Sequence, residues 1–450
     1  MLDPVLLARI QFALTVGFHF IFPPITIGLA WLIVWLLTKH RLTGDESYKQ
    51  LARFWVRIFA LTFAVGVASG LTMEFQFGTN WAAYSRFVGD IFGAPLAAEV
   101  IFTFFLESTF LYVLVFGWDR VSPRVYWLSS VLVALGATMS AFWILVANSW
   151  MQTPTGYVIR NGRAELASFW QAVLSPSMVP RFLHTLDAAL VTGVFFMLGI
   201  SALLLLRRQA VETSRYAVRL CLFLGFGLSV LQLGLGHYHA VQVAHTQPEK
   251  LAAFEGLFKT QAAAPLLVFG LPDPDSATVK YAVTIPGGLS LLTDMRTDAV
   301  VRGLNDFPRH EWPPVLITFF SFHLMFLIGM ALIAFPALGL LLLWRGKLFE
   351  TFWGRAYLWL AVLVTPLPVI CNELGWITAE VGRQPWIVYR VMRTADAISV
   401  SVPASHILAS IIIFTGIYGL LFLVWAVLLR REVRRGPSEA ADELGGEGSA

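Results

Sequence analysis

Nine stretches of this chain are apolar over about 20 residues, the length a helix needs to cross a bilayer. They cover residues 14–37, 54–77, 95–116, 125–150, 182–206, 218–235, 315–343, 358–378 and 407–429. In lipid every backbone polar group must be satisfied within the protein, and windows of this length do so as helices. Charged residues make up 13% of the 450, about half the share of a soluble domain. The pattern predicts an all-α polytopic membrane protein with about nine transmembrane helices. No linker divides it, so residues 1–436 are expected to form a single transmembrane domain. The first window lacks a cleavage pattern and reads as a retained helix.

The basic residues give the orientation. One set of loops carries Lys39, Arg41, Lys49, Arg53, Arg57, Arg120 and Arg124. The same side then takes Arg207, Arg208, Arg215, Arg219, Arg345, Lys347, Arg355, Arg430, Arg431, Arg434 and Arg435, more than half of all 32 Lys and Arg. With that side cytoplasmic, the N-terminus lies outside and the C-terminus inside. The one long loop, 236–312, is then outer and of a length that is usually functional. The acidic, Gly-rich tail 437–450 is expected to be a disordered cytoplasmic segment. Cys221 and Cys371 are the two cysteines, too few for a cysteine metal site. Nothing in the charge pattern implies nucleic acid.

Ionisable residues at membrane depth cost roughly 2.5–3.5 kcal/mol each on insertion scales, so they mark function. The densest group is ELGWITAEVGRQPW (373–386), with Glu373, Glu380 and Arg383 beside Trp376 and Trp386. Glu373 and Glu380 are seven apart and share a helix face, which Gly382 and Pro385 terminate. This polar face points at a cofactor or ion inside the bundle; a helix end with interfacial anchors is the plainer reading. His19, in GFHFIF, fits a satisfied core histidine and a metal or haem ligand equally. His184 opens the fifth window and Met325 lies about ten residues into the seventh, so the two reach one depth below the outer surface. His with Met is the axial set of a low-spin haem, although methionine is also common core filler. The third window holds Glu99 and Glu107 with Ser108 beside them, and Asp119 stands at its cytoplasmic end. Facing an interior path these read as a proton relay, which Ser140 of the next helix extends. In the long loop Lys250 and Glu255 flank an amphipathic turn, outside any apolar window.

Several segments together resemble subunit I of cytochrome bd-type quinol oxidases. They are GLTMEFQFGTNW (70–81), GDIFGAPLAAEVIFTFFLEST (89–109), WILVANSWMQTP (143–154), FLHT (182–185), QPEKLAAFEG (247–256) and the GRQPW block. The resemblance implies a quinol:oxygen oxidoreductase of the bacterial inner membrane, working with a second membrane subunit and small single-helix subunits. It implies that His184 and Met325 ligate a low-spin haem b. His19 and Glu380 would ligate two high-spin haems, one haem b and one haem d or a third haem b. Trp376 falls between haems, Glu99 and Glu107 match buried acids, and Lys250 and Glu255 match quinol-loop residues. No copper is expected. Two positions before Met325, where many members carry arginine, this chain has His323. Its loop is similar to the short-loop branch, which includes cyanide-insensitive oxidases. A proton-coupled transporter would also explain Glu107 and Glu380, but would leave His19, His184, Met325 and the loop unexplained.

Overall fold

The structure is a computed structural model and describes residues 3–442. The chain begins with α1 (Pro4–Phe20) and α2 (Phe22–Thr43), followed by α3 (Glu46–Thr79) and α4 (Ala82–Ala98). After six π-helical residues, Glu99–Phe104, come α5 (Phe105–Phe116) and α6 (Pro123–Gln152). The hairpin β1 (Tyr157–Arg160)–β2 (Arg163–Leu166) and short α7 (Phe169–Val173) lead to α8 (Met178–Leu206) and α9 (Val211–Thr246). The long loop holds α10 (Pro248–Glu255), β3 (Gln261–Ala262), β4 (Leu266–Asp273), β5 (Thr278–Ile285), α11 (Gly288–Asp294) and β6 (Val300–Val301). Next are α12 (Val315–Trp344), α13 (Phe352–Val364) and α14 (Leu367–Val381). The hairpin β7 (Trp386–Val388)–β8 (Met392–Arg393) and α15 (Ala404–Asp442) complete the chain. Among the described residues nine helical segments are long and apolar enough to span a membrane, with α1–α2 and α13–α14 each counted as one.

Local sequence explains the boundaries. Asp45 caps α3 by accepting from Ser47 N at 2.8 Å, and Gly44 ends α2 at φ 72°, a conformation glycine adopts without strain. Ser122 followed by Pro123 starts α6, the usual cap and first-turn pairing. At the centre, α8 is the most enclosed span, packed by α2, α6, α9 and α13. It crosses α2 through paired glycines: a Cβ on Gly28 would lie 2.6 Å from Gly193 Cα. Small residues permit this backbone approach, which is how helices pack where lipid supplies no hydrophobic drive.

The basic loops meet at one end of the bundle. Lys49 pairs with Asp119 at 3.5 Å, Arg57 with Glu432 at 3.8 Å, and Gln209 reaches Arg434 O at 3.0 Å. Arg215 and Arg219 both lie over the Phe349 ring. The sheets, all two-stranded, belong to the opposite end.

Several sequence boundaries shift. The sixth span runs on to Thr246, so the long loop begins at Gln247 and not at Gly236. His and Gln lowered the hydropathy there, yet the helix continues until Pro248 forces Gln247 to extended-like angles (φ −138°, ψ 62°). The third span is not a plain α-helix: Pro95 sits inside α4 and the π turns follow. The first window straddles α1 and α2 around Pro23–Pro24, and Pro366 divides the eighth. In α15 the backbone breaks at Gly436 (φ 69°) and helix resumes to Asp442. Of the tail expected to be disordered, 443–450 lies outside the described residues.

Candidate functional site

Helix α14 organises the interior. Its Glu373 meets α1, where a Cβ on Gly17 would lie 3.5 Å from Glu373 Oε2. Its Gly375 meets α12, where a Cβ would lie 3.0 Å from Met325 Sδ. Trp376 follows, half-buried. Glu380 meets α6: Asn148 Nδ2 donates to it at 2.9 Å and Gln152 Nε2 at 3.2 Å. Arg383, one turn on, also donates to Glu380. Spacing seven puts Glu373 and Glu380 on one face of the helix, yet each meets a different neighbour, α1 and α6. The buried Nε and Nη1 of Arg383 have no protein partner, and neither has Arg181 Nε on α8. Arg181, Lys250, Arg383 and Glu380 are all within electrostatic reach of one another.

His19 is held by α3. Its Nδ1 is 3.1 Å from Ser69 Oγ, whose own hydroxyl donates to the backbone carbonyls of Val65 or Gly66, each at 2.9 Å. That hydroxyl is spent as a donor, so Nδ1 carries the proton and Nε2 is left as a lone-pair donor. This is the tautomer a metal needs, with its orientation fixed by the second hydrogen bond. A Cβ on Gly70 would press on the ring at 3.2 Å.

His184 sits between α8 and α9. Its Nδ1 has no partner, and its Nε2 is 3.5 Å from Gln232 Nε2. A Cβ on Gly236 would come within 3.3 Å of the ring, and His239 stands 5.7 Å away, ring centre to ring centre. Met325 lies on α12, which packs on both α9 and α14. Each of His19, His184 and Met325 thus faces a neighbouring helix that offers glycine. His323 points elsewhere: its nitrogens face Phe319 O at 3.1 Å and Leu267 O at 3.2 Å. It ties α12 to strand β4 of the loop.

Lys250 and Glu255 do not stand in a solvated loop. Lys250 is 2% exposed. Its ammonium nitrogen donates to Gln152 at the end of α6 and to Gln247 Oε1 at 2.6 Å, and its Cγ would meet a Cβ on Gly382 at 3.0 Å. It therefore belongs to the cluster around Glu380. Burial, then the nearby Arg181 and Arg383, hold its pKa well below the usual lysine range. Glu255 is likewise buried, and burial raises its carboxyl to about 8. Five residues apart, the two point about 140° away from each other around α10. The two residues that flank the turn are thus separate buried groups, each shifted toward its neutral form.

In the third span Glu99 accepts from Ser140 Oγ at 2.7 Å. Glu107 is 5% exposed and lies against Gly136, whose Cβ would be 3.0 Å from its own. Gly136 and Ser140 are one turn apart on α6, so both acids meet the same helix. Glu74 of α3 is within electrostatic range of Glu99. Ser108 bonds weakly to its own backbone, at 3.4 Å from Phe105 O. Asp119 is 67% exposed and pairs with Lys49 and Arg53. Asn148 reads from the sequence as an interhelical hydrogen bonder, as it is here toward Glu380; Gln152 and Arg181 had no role assigned. A polar pair at i and i+4 on α6, and an arginine three residues before His184, were the available signals.

The described residues form a nine-span membrane bundle that holds imidazole, thioether and carboxylate groups, side chains of the kinds that ligate metals. Residues 7–437 match the family described as Cytochrome bd terminal oxidase subunit I. The chain is 39% identical to "Cytochrome bd ubiquinol oxidase subunit 1" of Bacillus subtilis (strain 168), over 97% of this chain and 94% of that one. It is 35% identical to "Cytochrome bd-II ubiquinol oxidase subunit 1" of Escherichia coli (strain K12), over 98% and 99%. The solved bd oxidase from Geobacillus thermodenitrificans superposes with a TM-score of 0.89 at 35% identity, covering 96% of this chain and 99% of that one. The chain belongs to the cytochrome bd terminal oxidase subunit I family. It is a membrane terminal oxidase subunit, and its family carries haem.

Proposed function

We propose that this subunit oxidises quinol at its outer face and reduces oxygen to water with three haems. His184 and Met325 would hold a low-spin haem b. His19 and Glu380 would hold two high-spin haems, one haem b and the other haem d or a third haem b, with no copper. The haems, when bound, supply electron transfer and oxygen binding. The residues suit such groups. Arg181, Lys250 and Arg383 gather around the carboxylate of Glu380, with buried N–H groups of Arg181 and Arg383 left over, and buried donors without partners call for anionic acceptors. Haem propionates are anions of the right kind.

The observation that carries the reading is the meeting of Lys250, from the outer loop, with Glu380 and Arg383 at the end of α14. It supports a reading in which the quinol-facing residue stands beside the oxygen site. The ubiquinol oxidases among the relatives support the substrate class. Lys250, whose pKa burial and the nearby arginines hold down, would hydrogen-bond a quinol oxygen, and Glu255 would take a proton once ionised.

Protons for water would come from inside, entering at Asp119 and passing Ser108 and Glu107 to Glu99 and Ser140. The basic loops that meet at one end support a cytoplasmic assignment for that end, with the N-terminus outside in a bacterial inner membrane. Inward protons cross most of the field, at about 2.3 kcal/mol per charge per 100 mV, so turnover generates voltage without pumping. A second membrane subunit and small single-helix subunits complete the assembly. The test is a reduced-minus-oxidised visible spectrum of the purified complex together with quinol-driven oxygen uptake. Three haem signals and uptake are expected; a preparation without haem bands, as a transporter would give, contradicts the reading.

A further inference from the structure

Helix α10 carries a buried acid that the reading above does not use. Glu249, next to Lys250, is 3% exposed. Its Oε1 accepts from Tyr389 Oη at 2.6 Å and lies 3.4 Å from Arg390 Nη2. Its Oε2 is buried with no hydrogen-bond partner. Tyr389 is itself fixed, its backbone N–H donating to Met151 O at 2.9 Å. Arg390 takes a left-handed backbone conformation (φ 56°), and its side chain is 53% exposed. One carboxylate thus has an open oxygen in the interior, one residue from Lys250, and a second oxygen against a cation that reaches solvent. A plain surface ion pair would need neither the burial nor the open acceptor, because a buried acceptor left unmade is costly.

We propose that Glu249 is the proton outlet of the quinol site, with Tyr389 as a positioning residue that holds Oε1. The inference rests on the reading that quinol is oxidised beside Lys250. Oxidation of one quinol to quinone breaks two O–H bonds and releases two electrons and two protons. The electrons go to the enzyme's oxidant, O2, and the protons leave outward. Glu249 Oε2 receives one of them and becomes a neutral carboxylic acid. It then loses that proton to water at the exposed edge of Arg390. Tyr389 and Arg390 belong to the segment directly after the GRQPW block, so the outlet is built from the same two elements as the Lys250 cluster.

The experiment uses the assembled complex with E249Q, E249D and Y389F. Removing a positioned proton carrier typically costs 10²–10⁴-fold, so E249Q is expected to lower the quinol kcat on the order of a hundredfold. KM should stay within about twofold, because binding is not what is lost. Oxygen uptake driven by an artificial electron donor should be unchanged. Redox-difference infrared spectra should lose one carboxyl C=O band in E249Q and keep it in E249D; in Y389F the band should persist but shift. Wild-type quinol kcat and an unchanged infrared spectrum in E249Q would overturn the outlet and leave Glu249 as a latch. Should E249Q fail to assemble, an E249D enzyme lacking the band, or as slow as an inactive one, overturns it equally. If K250A also oxidises quinol normally, the failure belongs to the quinol site itself and not to its outlet.

Discussion

Two interior acids, Glu380 and Glu107, both pack against α6, at points more than three turns apart, and are treated in opposite ways. Glu380 accepts from Asn148, Gln152 and Arg383. Glu107 is as well buried but makes no hydrogen bond among the described residues, resting on Gly136. A carboxylate held by several donors stays charged and still, as a ligand or anchor must. One with no donors can change protonation and rotamer without breaking anything, as a carrier must. The difference teaches that buried charge alone does not assign a role; the partners do.

The largest expected effect falls on the ligand side. His184→Ala or Met325→Leu should abolish the low-spin haem signal and keep much of the high-spin signal, read by the reduced-minus-oxidised spectrum. Both variants with a wild-type low-spin spectrum would remove this pair from the site. Lys250→Ala comes next, as it removes the loop's amine from the cluster around Glu380. Quinol oxidation should fall on the order of a hundredfold while haem content stays normal, measured by oxygen uptake with quinol and with an artificial donor.

These two predictions rest on positions that sequence made legible to different degrees. Nine spans were readable because lipid leaves a chain little choice of structure, and α14 was readable because ionisable residues are rare at that depth. What sequence did not show was the end that carries the long loop. The polar GHYHAVQVAHT stretch extends α9 as helix, and that extension carries α10 onto the bundle. Lys250 therefore belongs with Gln152 and Gly382 instead of with water. Nor does the spacing of Glu99 and Glu107 give their true relation, because π turns intervene and α6 supplies the common surface. Pairings between elements far apart in sequence, such as Glu249 with Tyr389, leave no local pattern to read.

On the carrier side, Glu107→Gln keeps shape and removes the titrating group. It should retain the haems and slow voltage generation in proteoliposomes roughly tenfold or more; wild-type rate and amplitude would exclude this route. The smallest effect concerns pH. Glu255, raised to about 8 by burial, is protonated below that pH and becomes an acceptor above it. The quinol-dependent rate should climb as pH rises through that value, and Glu255→Gln should flatten the climb. An unchanged profile in the variant would free Glu255 from the proton transfer.

The contrast between the two acids is tested most directly by one measurement, the reduced-minus-oxidised visible spectrum of Glu380→Gln and Glu107→Gln complexes purified side by side. The low-spin signal reports that each has assembled. Glu380→Gln is expected to lose one high-spin haem signal while Glu107→Gln matches the wild type. A Glu380→Gln spectrum that keeps every high-spin band, or the same loss in both variants, would contradict the assignment of ligand to one acid and carrier to the other.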